Sequence, residues 1–206
     1  MTRAGHIAAI TLCSLLVTAP MMAQSSPPMP QRFIGYCEGE NCSFGCRAVA
    51  LSPVALLTRD ERGAPVSAHL SVGDTVTIET GNLAVLEPGI VVLLRDTVIQ
   101  SYPDSAGAAE RSSVMRFARG DTLHLLAYIE LGRWHWWYRG RRSSGEEFWS
   151  GKLQRHSGPG RGNLAALIRS EPVADRWRFL VAGDGRKGWW LARDRTIEYV
   201  EDNYCA

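Results

Sequence analysis

The feature that most constrains the fold is a series of short apolar segments with a period of two, running from residue 47 to residue 192. Val76 and Ile78, for example, alternate with polar residues. Successive side chains of a strand point to opposite faces, so this alternation is typical of strands with one buried face. Turn dipeptides such as Pro88-Gly89 and Asp184-Gly185 separate the segments. The sequence therefore predicts an all-β protein.

Three short segments depart from the alternating pattern. Gly81-Asn82 is expected to end the strand that begins at Thr75. Residues 142–162 are rich in Gly, Ser and Arg, and predict a long basic loop. Asn163 can cap a helix because its side chain accepts hydrogen bonds from free backbone amides. One short helix is therefore expected over residues 164–170, which precede a proline.

The N-terminus has the layout of a bacterial secretory signal peptide. Arg3 supplies a positive charge, and residues 7–19 form an apolar run too short for a bilayer, which needs about 20 residues. Ala23 provides the small residue that cleavage requires, so we expect residues 1–23 to be removed and the mature protein to be periplasmic or secreted. Cleavage four residues earlier would place Pro20 directly after the scissile bond. Retention as a membrane anchor is the remaining alternative.

The cysteines suit the same compartment. Cys13 belongs to the signal peptide, and its removal leaves an even set of four: Cys37, Cys42, Cys46 and Cys205. An even count in an oxidising compartment predicts two disulfides. Each possible pairing ties Cys205 to the cluster near residue 40, so the C-terminus is expected to be joined to the start of the folded part. The spacing lacks the paired Cys-x-x-Cys of structural zinc sites, and no metal is expected.

Length, charge and composition set further limits. Residues 24–36 begin with several prolines and predict a flexible tether. The formal net charge of +2 argues against general nucleic-acid binding. The chain beyond residue 36 is long enough for one large domain or two small ones. No second apolar segment reaches membrane-spanning length, so no stable span is expected after signal cleavage.

A short internal repeat indicates two related β-units. Residues 70–76 recur as residues 117–123, and both copies read apolar, two variable positions, Gly, Asp, Thr, apolar. Glycine tolerates the positive φ that a tight turn requires before a strand. A similar alternating strand comes after each copy.

The order of these motifs resembles the bacterial SH3-like domains. Members of that family open with an apolar strand, a polar loop and a strand leading into an apolar-x-x-Gly-Asp turn. They close with a Trp strand, a Gly-rich hairpin and a Gly-Trp strand. The opening is similar to Val54–Ile78, and the closing to Trp177–Trp190 with Gly188-Trp189 as its Gly-Trp pair. The resemblance covers about half of the mature chain and implies a small β-barrel.

The two matching halves are far apart in this sequence, which allows two arrangements. In the first, residues 37–82 and 173–206 form one discontinuous barrel, and residues 83–172 are an inserted β-unit. In the second, two domains stand in tandem. The split barrel is preferred because the closing hairpin would otherwise lack a partner. It predicts that Trp189 lies beside the strands of residues 54–78.

Aromatic residues mark the candidate binding site. All seven tryptophans lie after residue 133. In the predicted strand after it, Trp134, Trp136 and Tyr138 point one way while Trp137 points the other. They could fill small barrel cores, each contributing roughly 1.5–3 kcal/mol. Since a small barrel buries one face of a strand, at least one of Trp136 and Trp137 is expected to be exposed and to stack on a ligand. The candidate ligand-binding residues are Trp134, Trp136, Trp137, Tyr138, Arg139 and Arg141.

The resemblance implies a non-catalytic module that binds a cell-envelope ligand, either peptidoglycan or an envelope protein. The arginines around residues 133–161 predict a solvated loop or, alternatively, a surface that reads anionic groups such as those of a membrane. A structural or inhibitory partner of another secreted protein is the second class of function. A hydrolase is disfavoured because the sequence has no Gly-x-Ser-x-Gly or His-Glu-x-x-His motif, and no cofactor is expected.

Overall fold

The structure is a computed structural model that describes residues 25–37, 44–103, 113–129, 133–145, 166–193 and 196–200. These residues form strands and no helix, in two curled antiparallel sheets. The all-β prediction is confirmed. Within the same ranges, no helix is long and apolar enough to cross a membrane.

In chain order the strands are β1 (Gln31–Ile34), β2 (Cys46–Ala50), β3 (Val54–Leu57), β4 (Val66–Leu70), β5 (Thr75–Glu87), β6 (Gly89–Leu93), β7 (Thr97–Pro103), β8 (Ser113–Phe117), β9 (Thr122–Tyr128), β10 (Trp134–Tyr138), β11 (Arg141–Gly145), β12 (Ala166–Ser170), β13 (Val173–Ala182), β14 (Lys187–Leu191) and β15 (Ile197–Tyr199).

The two sheets use different parts of the chain but share one strand order. The first sheet has the order β15-β2-β5-β13-β14-β3-β4, with β1 also paired to β5, and the second has the order β12-β6-β9-β10-β11-β7-β8. Each strand of the second sheet thus has a counterpart at the same place in the first. The first sheet combines strands from both ends of the chain. Trp189 lies opposite Leu57, so the closing strand meets the opening strand, as the sequence predicts.

The repeated turn has the same geometry in both sheets. Gly73 and Gly120 adopt φ angles of 88° and 89°, which glycine tolerates at no steric cost. The carboxylates of Asp74 and Asp121 accept hydrogen bonds from the amide three residues earlier, at 2.8 and 2.9 Å. The glycine amide of each turn donates, at 2.8 Å, to the last residue of β2 or of β6. The seven-residue motif therefore builds the same local structure twice.

Each sheet curls around its own apolar core. Leu56, Val76 and Leu180 are at most 1% exposed in the first core. Leu125 and Trp136 are equally buried in the second. Removing side chains of this size from water stabilises a fold by roughly 1.5–3 kcal/mol each, so each sheet has a substantial source of stability.

A third apolar cluster lies where the two sheets meet, and we call it the junction cluster. Leu83 and Val85 enter it from β5, and Leu126 and Ala127 enter it from β9. Phe33, beside β5 on β1, completes the contact. Apolar side chains from both sheets are thus removed from water together.

Strand β5 does not end at Gly81-Asn82, contrary to expectation. It continues to Glu87 because β13 pairs with it along its whole length, with Arg178 opposite Gly81. A Cβ at Gly81 would lie 2.5 Å from Nη1 of Arg178 and 2.8 Å from the carbonyl oxygen of Tyr36. Glycine is present there because space is lacking, and it does not break the strand.

The prediction of a flexible tether over residues 24–36 is wrong for much of that segment. Residues 31–34 form β1, which pairs antiparallel with β5. Phe33 and Tyr36 are 9% and 6% exposed, and the Tyr36 hydroxyl donates to the carbonyl oxygen of Tyr128 at 2.6 Å. The aromatic side chains that come after the prolines find a place in the junction cluster, which holds this segment on the sheet.

The predicted helix over residues 164–170 is also wrong where the structure describes it. Ala166–Ser170 is strand β12, antiparallel to β6, with Ala166 opposite Leu93. The free edge of β6 offers backbone hydrogen bonds to this short segment, and such tertiary pairing overrides a weak helix preference. The predicted basic loop is shorter than expected as well, because residues 142–145 belong to β11.

The structure describes two of the four cysteines that are predicted to form disulfides. Cys37 follows β1, and Cys46 is the first residue of β2. Cys42, Cys205 and the signal peptide lie outside the described residues. The pairing of the four cysteines, and the attachment of the C-terminus, remain predictions.

Candidate functional site

Strand β10 carries most of the predicted site residues, and three of them face the second core. Trp136 and Tyr138 are 1% and 3% exposed. The Phe117 ring contacts both, with ring centroids 5.7 Å from Trp136 and 4.7 Å from Tyr138. Trp134 packs against the same core but is only half-buried. Trp136 and Tyr138 are therefore core residues, and of the two tryptophans of which at least one was expected to be exposed, only Trp137 is partly exposed.

The opposite face of β10 is covered by the N-terminal segment. The Trp137 indole Nε1 donates to the carbonyl oxygen of Ser25 at 3.0 Å, and the His135 ring lies 4.7 Å from Phe33. A small barrel alone would leave this face open, which is why the sequence predicts an exposed tryptophan. The prediction did not foresee that residues 25–37 would return to cover it. The aromatic residues Phe33 and Tyr36 within a Pro-rich segment were the available signal.

The two predicted arginines lie at the hairpin that joins β10 to β11. Arg139 adopts a φ of 47° in the turn, and its guanidinium carbon lies 4.8 Å from the Tyr138 ring centroid. Its Nη2 is 3.9 Å from Asp121, and its side chain is 62% exposed. Arg141 is exposed at the start of β11. The six predicted residues therefore lie in three places: the second core, the junction between the sheets and one exposed turn.

One of the six, Trp134, lines a cleft between the two sheets, which we call the junction cleft. Its volume is about 400 Å³. Trp134 and Tyr128 stand edge to face, with ring centroids 5.4 Å apart and planes at 71°. Arg176 on β13 and Glu171 just before it supply charged groups from the other wall. Both sheets thus contribute to a cleft with an aromatic side and a charged side.

A second cavity of about 420 Å³ shares Tyr36 with the junction cleft. Arg32, His135 and Arg142 line it together with the Phe33 ring. The guanidinium carbon of Arg142 lies 5.1 Å from the Phe33 centroid, a cation–π contact. Arg32 pairs with Asp60 at 3.0 Å, so part of the positive charge here is already compensated.

Burial shifts the pKa of two titratable groups in the second sheet. Burial raises the pKa of Tyr138 to about 12, and the hydrogen bond from its hydroxyl to Asp121 at 2.5 Å acts in the same direction. Burial lowers the pKa of His124, whose side chain is 9% exposed. No hydrogen-bond partner for its Nδ1 occurs in the described part of the chain. Both groups are held in the neutral form at neutral pH.

Ionic contacts fix the loop between β3 and β4 to the first sheet. Asp175 is 5% exposed and accepts two hydrogen bonds from Arg62, both at 2.6 Å, and a third from Arg193 at 3.1 Å. Asn82 donates to Asp60 at 2.9 Å and accepts from the Gly35 amide at 3.0 Å. Nothing in the sequence pattern indicated these contacts, because their partners are remote in sequence. They hold the loop and the N-terminal segment in place.

Across the described ranges, no group of three or more His, Cys, Asp and Glu residues is placed to hold a metal ion. No protein-family model, curated protein or solved structure matches the chain. Function is therefore inferred from the residues and their geometry.

Proposed function

We propose that this chain is an exported, non-catalytic binding module of two nested SH3-like units that recognises a cell-envelope ligand in the junction cleft. The observation that carries the proposal is the placement of Trp134 and Tyr128 opposite Arg176 and Glu171 in one cleft formed by both sheets. Clefts with aromatic walls and a few converging polar groups are the usual setting for ligand binding.

The strand order supports the SH3-like assignment. Each sheet contains seven strands in an equivalent order, and β1 is an addition to the first. Gly188 supports it further, since a Cβ there would lie 2.7 Å from the carbonyl oxygen of Leu57. The glycine of the Gly-Trp pair is thus needed where β14 passes β3. In this assignment the inserted unit begins after β5, which ends at Glu87, rather than at Leu83.

The chemistry of the junction cleft suits a ligand with both apolar and charged groups. The half-buried Trp134 ring can stack on a sugar ring or an apolar side chain. Arg176 can bind a carboxylate, and Glu171 can bind an amino group. The peptide portion of peptidoglycan offers both, and so does a segment of an envelope protein. Peptidoglycan is the ligand we propose first.

The test is co-sedimentation of the mature protein with purified cell-wall sacculi. Replacing an aromatic hot-spot residue costs about 2 kcal/mol or more, so Trp134→Ala and Arg176→Ser should each weaken binding at least tenfold. Arg47→Ser is the matched control, because Arg47 is exposed on β2 and outside the cleft. Thermal unfolding of each variant separates lost binding from lost folding. Parent protein that stays in the supernatant would overturn the proposal, as would equal binding by all three variants.

A further inference from the structure

A cluster of five exposed arginines occupies one end of the second sheet, and we call it the basic end. We propose that the basic end docks the protein onto an anionic phospholipid surface. This surface is separate from the junction cleft, and the proposal does not depend on the function proposed above. Its arginines are Arg95, Arg116, Arg119, Arg139 and Arg141.

Backbone and side-chain contacts bring these residues to the same end of the sheet. The Leu93 amide at the end of β6 donates to the carbonyl oxygen of Asp121 at 2.9 Å. The Arg119 amide donates to Asp96 at 2.8 Å, which joins the turn after β8 to the start of β7. Arg116 and Arg139 line one open hollow of about 370 Å³ together with Asp96 and Asp121. The connections between β6 and β7, between β8 and β9, and between β10 and β11 therefore form one continuous surface at this end.

The basic end carries excess positive charge. Its five arginines face only two acidic residues, Asp96 and Asp121, which leaves a net charge of +3 among the described residues there. The pairing is loose, since Arg139 approaches Asp121 only to 3.9 Å. An exposed pair of this kind is worth at most about 1 kcal/mol, so it leaves the guanidinium available to a partner.

The first sheet shows that the fold itself does not require this charge. Among its described residues, the equivalent end carries Arg186 and Lys187 against Asp74 and Asp184, which gives a net charge of zero. Arg186 lies 2.8 Å from Asp74 and 2.6 Å from Asp184. Two ends of the same strand order therefore differ in net charge, and within the described ranges the excess lies at the end of the second sheet.

The side chains around the arginines favour a lipid surface over a sugar. Val98 lies opposite Arg116 in the register of β7 and β8, and both point outward with Val114. The two valines are 58% and 67% exposed. The aromatic residues nearest this end, Phe117 and Tyr138, are buried and cannot stack on a sugar ring. Exposed apolar side chains among cations suit the headgroup region of an anionic bilayer.

The test is sedimentation of the full mature protein with vesicles of phosphatidylcholine, with and without phosphatidylglycerol. We expect binding only to the vesicles that contain phosphatidylglycerol, and a strong decrease as salt is added. Each arginine near such a surface contributes about a fivefold change in affinity. Arg116→Ser and Arg141→Ser should therefore each weaken vesicle binding about fivefold, and the double variant about 25-fold.

Two controls separate this proposal from its alternatives. Lys187→Ser at the start of β14, the position equivalent to Arg141, should leave vesicle binding unchanged. Trp134→Ala should also leave it unchanged, whatever its effect on binding to sacculi. Loss of vesicle binding in Lys187→Ser would show that net charge alone is responsible and would overturn the proposal. So would binding of soluble dextran sulfate without binding to anionic vesicles, because the partner would then be a polymer.

Discussion

At Gly188, strand β14 passes close to the hairpin of β3 and β4. A Cβ at this position would lie 2.4 Å from Ser67 Oγ and 2.7 Å from the carbonyl oxygen of Leu57. Gly188→Ala must push the strands apart, and overpacking of this kind costs about 1–3 kcal/mol of unfolding free energy. Urea unfolding of the mature protein measures the loss.

Gly183→Ala is the matched control for that substitution. No heavy atom lies within 4 Å of the Cβ that alanine would add at Gly183, which is exposed in the neighbouring turn. The change in unfolding free energy should stay within about 0.5 kcal/mol. Equal losses in the two variants would contradict the close-approach explanation.

His124 gives the second sheet a pH-dependent stability. Burial lowers its pKa in the folded protein below 6.5, so the unfolded chain binds the proton more readily. Stability should therefore be constant above pH 6.5 and fall as the pH decreases toward the lowered folded-state pKa. Urea unfolding between about pH 5 and pH 8 tests this while surface carboxylates remain mostly ionised.

Replacing the histidine identifies the group responsible. His124→Gln removes the titrating group, so the fall in stability over that pH range should become shallower. His69→Gln, at an exposed position on β4, should keep the slope of the parent. A parent slope that survives in His124→Gln would assign the effect to another residue.

At the scale of elements, the strands that follow the alternating pattern could be predicted from the sequence, whereas β1 and β12 could not. Alternation is a local property, so segments such as Thr75–Ile78 reveal their buried face directly. β1 and β12 are strands because the remote edges of β5 and β6 offer them hydrogen bonds. Their own residues instead suggested a tether and a helix. A local sequence pattern cannot show that a segment pairs with a strand distant in sequence.

The candidate site was predictable to the same limited extent. The Trp-rich strand was located correctly as β10, because aromatic residues at alternate positions favour strands. Its two faces could not be assigned, since one is covered by residues 25–37. Arg176 and Glu171, which complete the junction cleft, come from outside the Trp-rich segment.

Strand β1 offers a test of how the N-terminal segment is held. Phe33 is 9% exposed, and Phe33→Ala should lower the unfolding free energy by about 3–5 kcal/mol. It should also speed hydrogen exchange of the backbone amides that pair β1 with β5, because the segment loses its apolar anchor. Ile34→Ala is the matched control, since Ile34 is 76% exposed on the same strand. A similar effect of both variants would show that the Phe33 contacts are not what retains β1.

At the scale of the whole molecule, the two sheets have the same strand order, which the sequence indicated only in part. The repeated Gly-Asp turn was visible in the sequence, and it marks the same point of both sheets. The remaining strands have diverged in length, as β5 has 13 residues and its counterpart β9 has 7. The strand order, and not the lengths of the strands, therefore shows that the two sheets are equivalent.

The two points where the chain leaves and re-enters the first sheet are neighbours. Glu87 at the end of β5 lies opposite Val173 at the start of β13. Residues 88–172 can thus be replaced by Asn-Gly, which forms the tight turn that joins adjacent antiparallel strands. The shortened chain keeps every strand of the first sheet and its core around Leu56 and Leu180.

We expect the shortened chain to fold cooperatively but with lower stability than the mature parent. Leu83 and Val85 lose their contacts with Leu126 and Ala127, so the first sheet exposes apolar surface that the junction cluster had buried. Circular dichroism should show β-structure, and urea unfolding should give a single transition at a lower midpoint. Replacing Leu83 by Thr should then reduce aggregation of the shortened chain and destabilise the parent, because the parent buries this side chain against Leu126 and Ala127 as well as against β1. A shortened chain without β-structure would mean that the first sheet needs the second in order to fold, and that the two are one cooperative unit.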